Sequence, residues 1–149
     1  MTHIRLTKLF TFEAAHALEG YDGLCREIHG HSYKFFVTVR GVPVADEFNP
    51  KYGMVMDFGE LKRIVNEQVV APFDHAFVLR RSEGSCLVYE QLRDRFERIV
   101  LVDFQPTCEN LLVEFARRIQ LNLPEGIKLH SLRLHETETS FAEWFAEDN

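Results

Sequence analysis

The stretch His29-Gly30-His31-Ser32-Tyr33-Lys34-Phe35-Phe36-Val37-Thr38-Val39 alternates in character from one residue to the next. Its odd positions carry His29, His31, Tyr33, Phe35, Val37 and Val39, so an extended strand turns both histidines to the same face as the apolar side chains. Upstream, Leu6, Phe10, Phe12, Ala14 and His16 fill the even positions of a second alternating run that only Lys8 interrupts. His16 ends the apolar face of that run. Between the two, Glu19-Gly20-Tyr21-Asp22-Gly23 reads as a loop punctuated by glycine. Two strands of opposite direction therefore bring His16 beside His29 and His31. That inference rests on alternation and assumes no metal.

Past the second strand, Val42-Pro43 to Asn49-Pro50 is turn-rich. Asp57 followed by Glu60 fits an acidic helix cap, and Phe58, Leu61, Ile64, Val65 and Val69 recur at helical spacing. This predicts a helix from Phe58 to Val70, stopped by Pro72. Ala76 to Leu79 is short, apolar and extended. Val88, Leu92 and Phe96 predict a short amphipathic helix, and Ile99 to Phe104 is a β-rich strand or edge. Thr107 caps a further helix with Leu111, Leu112, Phe115, Ala116 and Ile119 as its buried stripe, ended by Pro124-Glu125-Gly126. Lys128 to Glu136 alternates through Leu132 and Leu134, and Thr139 to Phe145 supplies a last strand. The order is β-β-α, an insertion, then α-β-β, which is the α+β class in one domain over residues 1–149.

Composition narrows the function classes. A chain of 149 residues with 46% hydrophobic and 27% charged residues buries a real core as a soluble domain. A net charge of −6 without a basic run argues against nucleic acid as a partner. No apolar run approaches the ~20 residues that cross a bilayer. Met1-Thr2-His3-Ile4-Arg5 lacks a secretory h-region, and three cysteines leave no complete disulfide framework, so the expected compartment is the cytoplasm.

Three converging imidazoles suit a metal, and a three-nitrogen set leaves zinc one open position; iron and nickel are compatible with the same donors. Gly30, between two of the ligands, lets a neighbouring backbone approach. Cys25 stands four residues before His29, where a dication would raise its thiolate fraction and make it a nucleophile or base. Cys86 and Cys108 lack such a setting and read as structural or surface residues. Asp74-His75 is a usable proton relay if the carboxylate orients the imidazole, which adjacency alone does not decide. Glu136 shares a strand face with two leucines. It either reaches solvent at the strand end or meets a ligand with adjacent N–H donors, such as an amidine-like ring edge. Glu109 stands in the first turn of a helix, where the dipole alone favours an acid.

Taken together, six pieces resemble the 6-pyruvoyltetrahydropterin synthase superfamily, and within it the 6-carboxytetrahydropterin synthase branch. They are Phe10-Thr11-Phe12-Glu13-Ala14-Ala15-His16, Cys25-x-x-x-His29-Gly30-His31, Met56-Asp57-Phe58, Asp74-His75, Pro106-Thr107-x-Glu109-Asn110 and Glu136-Thr137. The resemblance spans nearly the whole chain, and the cysteine–histidine block is its most specific part. It implies zinc on His16, His29 and His31, Cys25 as the acid/base thiol, and Asp74 and His75 as a relay on the substrate side chain. It further implies that Glu136 anchors the 2-amino-4-oxo edge of a pterin, with Glu109 and Thr107 near the same pocket. The implied fold (the T-fold) is an antiparallel four-stranded sheet backed by two helices. Three subunits close a barrel, and two trimers stack into a homohexamer with active sites at subunit contacts.

The three residues between Cys25 and His29 resemble the carboxy-forming branch, since the pyruvoyl-forming enzymes have a longer spacing. The segment from Arg80 to Gln105 is longer than in the shortest members. The implied reaction converts 7,8-dihydroneopterin triphosphate to 6-carboxytetrahydropterin, acetaldehyde and triphosphate, a step toward 7-deazapurines of the queuosine type. The alternatives are a pyruvoyl-forming synthase and a pterin- or zinc-binding protein without turnover. A generic zinc hydrolase lacks the His-Glu-x-x-His helix it would need.

Overall fold

The computed structural model describes residues 1–149. Strands β1 (Ile4–His16) and β2 (His29–Gly41) pair antiparallel along their full length, with His16 opposite His29 and Ala14 opposite His31. Directly opposed residues share a face, so the two alternating runs merge into one apolar surface ending in three histidines. Strand β5 (Lys128–His135) joins β2, and β6 (Phe141–Phe145) joins β5, both antiparallel.

The sheet has six strands, in the order β4-β3-β1-β2-β5-β6, where the resemblance implies four. The four expected strands are there, and two short ones extend them at the β1 edge: β3 (Ala76–Arg80) and β4 (Ile99–Val102). Each pairs parallel to its neighbour, so the sheet is mixed. Parallel neighbours need crossover connections, and the stretch from Arg80 to Gln105 supplies one through helix α3 (Glu83–Leu92).

Two helices cover the face that carries the apolar side chains. Helix α1 (Phe58–Val65) starts at Asp57, whose Oδ1 accepts the Gly59 N–H at 2.6 Å. The long helix after α3, α4 (Cys108–Gln120), starts at Thr107, whose Oγ1 accepts the Asn110 N–H. Leu61, Ile64 and Val65 meet Leu111, Leu112 and Ile119 in one core with Phe10, Phe12, Tyr33 and Phe35. Phe115 packs edge-on against Phe12, Phe35 and Phe73, with ring centres 6.1, 5.4 and 5.1 Å away.

Two sequence expectations need correction, and one strand departs from strict alternation. Pro72 does not stop the first helix at Val70: the chain widens into a π turn over Asn66–Val70 and continues as α2 (Ala71–Phe73). Proline has no N–H to give and crowds the carbonyl four residues back. That carbonyl, on Gln68, is instead met by Arg118 Nη1 at 3.3 Å. The stripe Val88-Leu92-Phe96 is not a buried helix face, since α3 ends at Leu92 and its only buried residue is Ser85. On β5, both Leu129 and Leu132 are buried despite opposite parity, because a bulge leaves His130 unpaired between them.

Candidate metal centre

The end of the β1–β2 ladder gathers His16, His29 and His31 so that one nitrogen of each lies within 4.8 Å of the others. His16 is buried, and the other two are half-buried. The rings stand at steep angles to one another, with centres 4.5 to 5.1 Å apart. A Cβ on Gly30 would stand 3.3 Å from the Ala14 carbonyl oxygen, a tight approach that glycine avoids between His29 and His31.

The proton positions follow from the partners. His16 Nδ1 donates to the Pro106 carbonyl at 2.7 Å, and His29 Nδ1 donates to the Glu27 carbonyl at 2.7 Å. A carbonyl only accepts, so each neutral ring has its proton on Nδ1 and a bare lone pair on Nε2. Those two Nε2 atoms face each other at 3.0 Å. Two lone pairs at that distance repel unless a cation lies between them. A tetrahedral metal with ordinary Zn–N bonds holds two imidazole nitrogens about 3.3 Å apart. His31 Nε2 is buried without a hydrogen-bond partner; Glu136 Oε1 lies 3.3 Å away but off the line of a hydrogen bond. Burial holds the pKa of both His16 and His31 below the ordinary imidazole value, which keeps their lone pairs free. Carbonyl-oriented imidazoles, an orphaned buried nitrogen and an all-nitrogen donor set fit a first-row metal such as zinc.

Glu136 is the fourth member of the cluster. The structure places it beside His31, rather than simply in solvent at the end of β5. Two groups near it are kept protonated mainly by burial and further by its negative charge. The Tyr33 phenol is pushed well above its usual range, and the Cys108 thiol is pushed up to about 12. Cys108 Sγ also donates to the Leu134 carbonyl at 3.2 Å, so its structural reading holds. Tyr33 shares the parity of His29 and His31, a signal legible in the sequence. The Pro106 and Glu27 carbonyls had none.

The remaining candidates lie elsewhere. Asp74 and His75 do meet: Asp74 Oδ1 is 3.0 Å from His75 Nδ1 and also accepts the Glu13 N–H at 2.9 Å. That backbone donor, with His75 as a smaller contributor, holds the Asp74 carboxyl below its ordinary pKa. His75 adopts φ 58, a left-handed conformation rare outside glycine. It lines a cavity of about 380 Å³ together with His31, Ala14, Glu13, Ala15 and Ser32. The cavity thus has one of the three clustered histidines and His75 in its wall. Cys25 is a free, half-buried thiol on the 3-10 turn Leu24–Arg26, hydrogen-bonded to neither Asp74 nor His75. Its carbonyl accepts the Leu18 N–H at 2.9 Å. Thr107 Oγ1 accepts the cap hydrogen bond and keeps its O–H to donate, and Glu109 is exposed in the first turn of α4.

The model of the family described as 6-pyruvoyl tetrahydropterin synthase matches residues 5–147. A 6-carboxy-5,6,7,8-tetrahydropterin synthase of Haemophilus influenzae is 36% identical over 143 residues, covering 94% of this chain and 97% of that one. The enzyme of the same name from Rickettsia typhi is 29% identical, covering 94% and 99%. Among solved structures, an uncharacterised protein of Wolinella succinogenes superposes with a TM-score of 0.76 at 20% identity, covering 98% and 99% of the two chains. The 6-pyruvoyl tetrahydropterin synthase of Caenorhabditis elegans superposes with a TM-score of 0.67 at 22% identity, covering 98% and 97%. With nearly its whole length matched, and its histidines converging as the alternation requires, this chain belongs to the 6-pyruvoyl tetrahydropterin synthase family.

Proposed function

We propose that this protein is a zinc-dependent 6-carboxytetrahydropterin synthase acting on 7,8-dihydroneopterin triphosphate in the cytoplasm, on the route to 7-deazapurines such as queuosine. The observation that carries the reading is the paired Nε2 lone pairs of His16 and His29, with the orphaned His31 nitrogen and the Glu136 carboxylate at their side. Relatives named for this activity at 36% and 29% identity support the choice of product. Zinc on the three imidazoles would supply Lewis acidity to the hydroxyls of the substrate side chain.

The chain's own residues divide the rest of the work. Glu136 accepts the adjacent N–H donors of the 2-amino-4-oxo ring edge, a charge-assisted pair that fixes the ring relative to the imidazoles. Glu109 and Thr107, at the start of α4, stand with that recognition end. Cys25 takes and returns the proton at the side-chain carbons while the ring is reduced to the tetrahydro level at the expense of the side chain. Asp74 stays ionised and orients His75 through Nδ1, so His75 presents Nε2 as the relay atom. Triphosphate leaves and the carbon–carbon bond breaks with uptake of water, whose oxygen completes the carboxylate. The remaining two carbons depart as acetaldehyde. Cys25 bonds to neither member of the Asp74–His75 pair within one chain, which fits a relay completed between subunits of a homohexamer.

Product analysis tests this. Zinc-loaded protein given 7,8-dihydroneopterin triphosphate without oxygen should yield 6-carboxytetrahydropterin and acetaldehyde by mass spectrometry. The Cys25→Ala variant should keep its zinc and lose turnover. A pyruvoyl product would move the protein to the sister activity, and bound zinc without any product would leave a binding role.

A further inference from the structure

None of the close ion pairs in the structure includes Arg98, although its positive charge helps to hold the Asp74 carboxyl below its ordinary pKa. Its guanidinium goes to backbone instead. Nε donates to the Asp74 carbonyl at 2.8 Å, and Nη2 donates to the Ala71 carbonyl at 2.6 Å. Both oxygens lie at the end of α2, where a helix leaves its last carbonyls without internal partners and its dipole favours positive charge. The backbone of Arg98 grips the other side of the same turn, because its carbonyl accepts the Phe77 N–H at 2.8 Å.

His75 therefore sits between two attachments to one residue, one at Asp74 and one at Phe77. It is also the only non-glycine residue with positive φ. A left-handed histidine is held there by its surroundings rather than by its own preference. Glu13 supplies the remaining restraint: its N–H meets Asp74 Oδ1, and its carbonyl accepts the His75 N–H. Arg98 immediately precedes β4.

We propose that Arg98 is a positioning residue that locks the Asp74–His75 turn, so that the imidazole keeps its Nδ1–H toward Asp74 and its Nε2 free. The proposal rests on the reading of His75 as the relay, but its first test does not need turnover. In the zinc-loaded protein with 15N-labelled histidine, His75 should show the nitrogen shifts of a single Nδ1–H tautomer. In Arg98→Ala those shifts should move toward the averaged values of free histidine, and ethylguanidinium, which restores the missing part of the side chain, should bring them back.

Turnover of Arg98→Ala should fall about tenfold, the order expected when a reacting group is displaced slightly. KM should stay within about twofold and zinc content should not change. A folded Arg98→Ala protein with wild-type His75 shifts overturns the proposal. If Arg98→Ala does not fold, Arg98→Lys decides: it keeps the charge and lacks the planar two-donor fork. Unchanged shifts and unchanged kcat in Arg98→Lys would then overturn the proposal. Wild-type protein without turnover would sink the reaction assignment alone and leave Arg98 judged by the tautomer.

Discussion

Pro106 and Glu27 each present a backbone oxygen to a histidine Nδ1, and those two oxygens decide where the protons of the centre sit. The three imidazoles were legible from parity alone, because alternation fixes which side chains share a face. The carbonyls were not, since every residue carries one and its direction depends on the finished fold. Glu136 lay between these cases: its parity was visible, but its proximity to His31 required the register of β5 on β2. Removing one imidazole tests the set at this scale. His31→Ala should weaken zinc binding by more than about 100-fold while the far-UV circular dichroism stays that of the wild type. Elemental analysis after dialysis reads the outcome. Full occupancy would remove His31 from the centre.

Helical periodicity located α1 and α4 because both bury a continuous stripe against the sheet. The same logic misplaced the stripe in the insertion, where Leu87, Val88 and Phe96 are exposed. Periodicity reports a face that can be buried; in this chain no element covers it. Pro72 misled in the opposite way, since a π turn and a side chain from α4 together accommodate it. That side chain, Arg118, also lies over the Phe73 ring at 5.1 Å and binds Glu114, which Arg117 grips as well.

Glu114 is held down at about 2, first by the hydrogen bond from Arg117 and then by that from Arg118. A carboxyl with a depressed folded-state pKa contributes stability above its ordinary value, and that contribution is lost as pH falls through the folded-state value. Glu114→Gln should therefore unfold at lower urea near neutral pH, by about 1 kcal/mol. The gap to the wild type should close as pH falls from 4.5 toward about 2. A gap that stays constant over that range would show that the two arginines do not depend on the Glu114 charge.

Across the whole molecule, the site draws on parts that are distant in sequence: two adjacent strands, the approach to α4 and the end of β5. The antiparallel pair was legible, because both of its runs alternate strongly and a glycine-punctuated loop separates them. The parallel additions β3 and β4 were legible only as short extended pieces. Their partners depend on crossovers that no local pattern encodes; the count of four came from the family resemblance, and six strands are found. The fold brings these pieces together around three imidazoles that could hold one metal ion, and a bound ion would report it. Zinc X-ray absorption on the loaded protein should show imidazole nitrogens from three histidines at about 2.0–2.1 Å, one exchangeable light atom, and no sulfur. A sulfur neighbour at about 2.3 Å would make Cys25 a ligand rather than an acid/base, and fewer than three imidazoles would contradict the centre as described.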